Sequence, residues 1–154
     1  MPALETPGHS TLRCGRRPRP SLVRQEDALP KKHVVTTQAP RPIGPYSQGV
    51  ISGGFLFVSG QVAIDPDTNA VLQGDIEAQT DRVMKNLMAV LKEAKMGPEN
   101  VVKTTVYLMD MGEFPRMNEV YARYLGKEPP ARSTVQVAGL PKGVKVEIDV
   151  IAAF

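Results

Sequence analysis

The sequence predicts an α+β domain, built as a mixed sheet with two helices packed on one of its faces. Three observations lead there. Two stretches carry apolar residues at helical spacing, and each lies between runs rich in β-branched and aromatic residues. The resulting order is ββαβαββ, so that a helix twice crosses between strands. The strand runs place apolar side chains on both faces of the sheet, whereas two helices cover only one.

Residues 1–30 hold four prolines before Ser21, clustered arginines and little apolar periodicity, and read as a disordered leader ahead of a domain spanning 31–154. The arginine content resembles an organellar transit peptide, while Glu5, Glu26 and Asp27 argue against one. A start codon assigned too far upstream is the competing reading, although no second methionine precedes Met84.

KKHVVTT, from Lys31, reads as a short first strand. APRPIGPYSQG is then an extended connector, because Pro40, Pro42 and Pro45 exclude helix. Phe55 to Val62, FLFVSGQV, reads as the second strand, entered through Gly53-Gly54 as a turn. Ile76, Thr80, Val83, Met84, Leu87, Val90, Leu91 and Ala94 recur at helical spacing, which predicts a helix over Asp75 to Ala94 that ends at Gly97-Pro98. Met84 and Met88 fill core. Val101 to Met109 is a strong β run, and Met117, Val120, Tyr121 and Tyr124 predict a second helix from Glu113 to Leu125, broken by Gly126 and Pro129-Pro130.

Pro129 to Val150 reads as a β-hairpin turning at Leu140-Pro141-Lys142-Gly143. Alternation puts Arg132, Thr134 and Gln136 on one face of the first arm, and Lys145, Glu147 and Asp149 together on the second. These charges are either a solvated hairpin face or an ion pair of Arg132 with Glu147 or Asp149. The sheet face that the helices leave bare needs another cover, and a second copy of the chain is the simplest candidate. A charge near such an interface is costly unless it is paired or used.

Composition narrows the chemistry. Of the net charge of +3, residues 1–33 account for seven Lys/Arg against three acids, which leaves the rest of the chain close to neutral. Phosphate-backbone binding needs a basic face on the folded part, so nucleic acid is a poor partner. The single cysteine, Cys14, lies in the leader, and so internal disulfides and core thiol chemistry are excluded. His9 and His33 stand apart from any cluster with metal-ligand spacing. No apolar run is long enough to span a membrane.

The segments APRPIGPYSQG, FVSGQVAIDP, NVVKTTVYLMDM, MNEVYARYL and PPARSTVQVAGLPKGVKVEID, in this order and spacing, resemble the RidA/YjgF family of imine deaminases. The resemblance covers Val34 to Phe154. It implies a chorismate-mutase-like fold, a homotrimer with ligand clefts between subunits, and no cofactor. By position it implies that Arg132 holds the substrate carboxylate and that Glu147 positions or activates water. Tyr46 and Asn118 would line the same cleft, Gly60 would offer its backbone there, and Thr134, standing where many members carry cysteine, would shape the cavity. The implied reaction is hydrolysis of 2-iminobutanoate or 2-iminopropanoate, released by pyridoxal-phosphate-dependent enzymes, to a 2-oxo acid and ammonia. A planar guanidinium grips both oxygens of a carboxylate, and a nearby carboxylate can orient water and accept its proton.

Two other classes stay open, a ligand-binding or chaperone module without turnover and a ribonuclease or translation inhibitor. The near-neutral domain and the lack of a His or Lys constellation count against nucleolytic chemistry. The expected compartment is the cytoplasm, with mitochondrion or plastid as the alternative if the leader is a transit peptide.

Overall fold

The structure, a computed structural model, describes residues 30–154, and the leader up to residue 29 lies outside them. Six strands and two α-helices follow in the order β1 (Lys32–Val34), β2 (Gly49–Ser52), β3 (Phe55–Val62), α1 (Ile76–Glu93), β4 (Val101–Leu108), α2 (Phe114–Leu125), β5 (Ala131–Gln136) and β6 (Val146–Ala153). They form one mixed sheet of strand order β1-β2-β3-β6-β4-β5, in which β4 and β5 are parallel and all other neighbours antiparallel. The expected class holds: a mixed sheet carrying two helices.

Local chemistry fixes the element ends. The Asp75 carboxylate accepts the Ala78 N–H at 2.9 Å and caps α1. Gly126, at φ +66°, stops α2 in a conformation that other residues rarely adopt. Gly53 and Gly54 both have positive φ and close a two-residue hairpin between Ser52 and Phe55. That hairpin has a partner strand, β2, which the sequence reading merged into the connector, so the chain holds one strand more than expected.

The helices share one face. Leu56 and Val58 of β3, Val106 and Leu108 of β4, and Val146, Ile148, Val150 and Ala152 of β6 are buried with Val83, Leu87, Val90, Met117 and Tyr121 of the helices. Each Val, Leu, Ile or Met side chain among them contributes about 1.5–3 kcal/mol of burial. On the opposite face the alternate residues are open, with Phe55 43%, Phe57 46% and Val135 42% exposed. The bare face inferred from the sequence therefore exists in the protomer.

The expected C-terminal hairpin does not form. β4 lies between its two arms, pairing in parallel with β5 and antiparallel with β6. The physical reason is burial. Every second residue of β6, from Val146 to Ala152, is buried, which suits a central strand, whereas β5 is mostly exposed and sits at the edge. The Leu140-Pro141-Lys142-Gly143 turn becomes a 3-10 turn over Pro141–Gly143 in the link from the edge strand to the centre.

Candidate active site

Glu147 leads one half of the site. It projects from β6 on the bare face, half-buried, and its carboxylate lies against the backbone of Gly60 in β3. A Cβ at position 60 would collide with that carboxylate, so only glycine allows the approach. Burial, and then the negative charge of Asp149 two residues on, raise the Glu147 carboxyl above its usual range. Asp149 itself accepts the Tyr107 hydroxyl at 3.0 Å. Glu147, Gly60 and Tyr46 line one cavity of about 330 Å³ with Ser59 and Gln48. A half-buried carboxylate with a raised pKa facing a cavity is suited to take and return a proton.

Gln48 shapes the wall of that cavity. It is buried, and its amide donates to the carbonyls of Thr36, Ala39 and Pro40 at 3.0, 3.1 and 2.9 Å while accepting the Thr36 N–H at 2.7 Å. Those bonds fasten the proline connector that carries Tyr46, and every polar atom of the amide is used.

Arg132 leads the other half. It extends from β5 on the helix side, where its Nη1 donates to Asn118 Oδ1 at 2.8 Å. Its guanidinium carbon lies 4.7 Å from the centre of the Tyr121 ring and 5.3 Å from that of Phe114. No ion pair among the described residues involves Arg132, so it does not pair with Glu147 or Asp149 within the protomer. Arg132, Asn118 and Tyr121 line a second cavity of about 350 Å³ whose far wall is Leu125, Pro129 and Pro130. Thr134, two residues along β5, buries a hydroxyl that has no hydrogen-bond partner.

The two halves do not meet within a protomer. Thr104 of β4 stands opposite Arg132 on one side and Val150 on the other, while Tyr107, three residues later, stands opposite Glu147. An odd offset along a strand changes face. Arg132 and Glu147 therefore lie on opposite faces of the sheet. The sequence grouped each set correctly by alternation, but the assumed hairpin hid β4 between them. Phe114 and Tyr121 were read only as helix and core positions; with Asn118 they fall at i, i+4 and i+7, one stripe of α2, and that spacing was the available signal.

The sequence profile of the family described as Endoribonuclease L-PSP matches residues 36–154. A RutC family protein of Pyrococcus abyssi is 49% identical over 124 residues, covering 80% of this chain and 98% of the relative. Reactive Intermediate Deaminase A, chloroplastic, of Arabidopsis thaliana is 42% identical over 125 residues, 80% of this chain and 67% of that protein. Among solved structures, E. coli TdcF with bound serine superposes with a TM-score of 0.76 at 38% identity, covering 80% of this chain and 98% of that one. The fold and these matches define an α+β protein with a mixed sheet and two helices on one face. This chain belongs to the RidA/YjgF family, the family of that L-PSP profile. No helix among the described residues is long and apolar enough to cross a membrane.

Proposed function

We propose that this protein is an imine deaminase that hydrolyses 2-iminobutanoate and 2-iminopropanoate, with each site completed across a subunit boundary of a homotrimer. The observation that carries the reading is the separation of a carboxylate-free, aromatic-packed Arg132 from a cavity-facing Glu147 of raised pKa, on opposite faces of one sheet. A neighbour laid on the open face, with its Phe55, Phe57 and Val135, brings the second half. The named deaminase of Arabidopsis supports the reaction class, and the serine held by TdcF, a small molecule with a carboxylate beside an amine-bearing carbon, supports the ligand class.

In this mechanism Arg132 holds the carboxylate of the imino acid and Asn118 keeps the guanidinium in place. Water, oriented by Glu147, adds its oxygen to the imine carbon and gives up a proton to the carboxylate. Returned to nitrogen, that proton completes a carbinolamine; Glu147 then takes the proton of the new hydroxyl and passes it to nitrogen as the C–N bond breaks and the C=O bond forms, releasing ammonia and the 2-oxo acid. Tyr46 and Gly60 bound the cavity in which the water stands, and the Thr134 hydroxyl fills space beside Arg132. No cofactor enters. The family profile's endoribonuclease description is not favoured, since the domain outside residues 1–33 carries twelve cations against thirteen acids. The compartment proposed is the cytoplasm, with the plastid as the alternative that the Arabidopsis relative's name suggests.

Subunit complementation tests the reading. Arg132→Ala and Glu147→Gln chains, each inactive alone, are refolded together and assayed with imine generated by threonine dehydratase. Random assembly gives an intact pair of halves at about one cleft in four, so about a quarter of parental activity returns. Mixed trimers that stay at the residual rate of the single variants would overturn the shared site.

A further inference from the structure

Arg132 is held from a single stripe of α2, and the holding contacts close on themselves. Phe114, Asn118 and Tyr121 occupy i, i+4 and i+7 of that helix. Asn118 accepts from Nη1, while the guanidinium carbon lies over the Tyr121 ring at 4.7 Å and over the Phe114 ring at 5.3 Å from their centres. Tyr121 is itself fixed, because its hydroxyl shares a 2.7 Å hydrogen bond with Thr104 Oγ1. Thr104 is fully buried in β4 and is the residue directly opposite Arg132 across the β4/β5 pair. The path from Arg132 through Tyr121 to Thr104 thus returns to the strand beside Arg132.

This geometry has a directional consequence. A ring attracts the face of a guanidinium and leaves its N–H edge unobstructed. With the guanidinium carbon over two rings and one Nη1 donor given to Asn118, the remaining donors find no carboxylate among the described residues. A planar anion meets such a fork with two parallel hydrogen bonds, and a neutral ligand does not.

We infer that Tyr121, supported by Phe114, is a positioning residue that aims the Arg132 fork and thereby selects ligands bearing a planar carboxylate over their uncharged counterparts. The inference rests on the assignment of Arg132 to the substrate carboxylate. Tyr121 touches the guanidinium and acts on the ligand through it. Phe at position 121 keeps the ring and loses only the tether to Thr104; Leu loses both.

The test measures binding of 2-oxobutanoate and of its methyl ester to the full chain by titration. Tyr121→Leu and Phe114→Leu should each weaken 2-oxobutanoate about 3- to 30-fold and leave the ester within about twofold, with Tyr121→Phe intermediate for the acid. In an Arg132→Ala background the same ring substitutions should cost no further affinity for the acid, because the group through which they act is gone. Equal weakening of acid and ester, additive losses with Arg132→Ala, or parental binding of the acid would each overturn the positioning role. If Tyr121→Leu fails to fold, Phe114→Leu and Tyr121→Phe carry the same comparison. An Arg132→Ala protein that still binds the acid as the parent does would instead overturn the assignment of Arg132 on which the inference stands.

Discussion

Gly60→Ala separates the chemistry of Glu147 from the stability of the fold. An ideal Cβ at position 60 overlaps Glu147 Oε1 and stands 2.9 Å from its Cδ and 3.1 Å from its Cγ, where ordinary contact begins near 3.4 Å. The obstacle is the end of a flexible side chain, so the carboxylate swings away while the backbone stays. Gly60 is not among the glycines with positive φ, and alanine there is conformationally acceptable. Such a replacement stabilises by about 0.4–1 kcal/mol through the unfolded chain, which offsets a modest packing cost. Moving a proton-transfer group by about an ångström lowers rate by about a hundredfold. The expected variant therefore has an unchanged Tm and a kcat about 100-fold down in the dehydratase-coupled assay. Its affinity for 2-oxobutanoate, set by the Arg132 half, stays within a few fold. Adding Glu147→Gln should then cost little more. A Gly60→Ala protein with parental kcat, or one whose loss follows unfolding, would refute the argument.

Other expectations follow from the same geometry. Arg132→Lys should recover little of the roughly 30- to 1000-fold loss in kcat/KM of Arg132→Ala, because an ammonium reproduces neither the fork nor its stacking on two rings; recovery to near parental rates would favour a merely electrostatic role. Thr134→Val removes a buried hydroxyl without a partner, so denaturant midpoints should rise by about 1 kcal/mol of stability with turnover within about tenfold of parental, and a lost 2-oxobutanoate affinity would mean that the hydroxyl meets the ligand. Asp149→Asn removes the second cause of the raised Glu147 pKa. Glu147 must be deprotonated to act as base, so the acid limb of kcat/KM should move to lower pH, and an unmoved limb would show that another group sets it. Phe57→Glu places a charge on the bare face, and light scattering should report single chains that have lost activity together with assembly; an intact trimer would remove this face from the interface.

How far the sequence carried the fold depended on the range of the interaction. Helix α1 was legible to within a residue because its signals are local, with Asp75 at the cap and an unbroken apolar stripe ending at Ala94. Strand β3 was legible at both ends for the same reason. β2 was not, since GVIS is only four residues, follows a proline-rich segment and is marked as a strand mainly by pairing with β1 and β3. The C-terminal arms illustrate the limit more sharply. Alternation within each arm is a property of the arm, and Arg132 with Thr134 and Glu147 with Asp149 were grouped as the structure groups them. Whether the arms pair with one another depends on β4, which enters the sheet about twenty residues or more earlier in the chain, and no local signal reports that insertion.

The insertion of β4 also decides what the protomer can do alone. With β5 and β6 adjacent, Arg132 and Glu147 could have been cross-strand neighbours a few ångströms apart, forming an ion pair that satisfied both charges and left nothing for a ligand. Placing β4 between them puts the two charges on opposite faces, and side chains on opposite faces of a sheet point away from each other, beyond the reach of a single small ligand. Each charge is then held by its own surroundings, Arg132 by aromatic faces and an amide, Glu147 by a glycine that makes room for it. Neither has a counterion of its own among the described residues. A half-buried carboxylate and a guanidinium over two rings, each without a counterion in the protomer, are electrostatically expensive, and in the proposed mechanism a ligand carboxylate, a water molecule and a neighbouring copy complete them. The same strand order that denies the protomer a structural salt bridge thus holds apart the two groups that the proposed mechanism needs, and in that mechanism it ties catalysis to assembly.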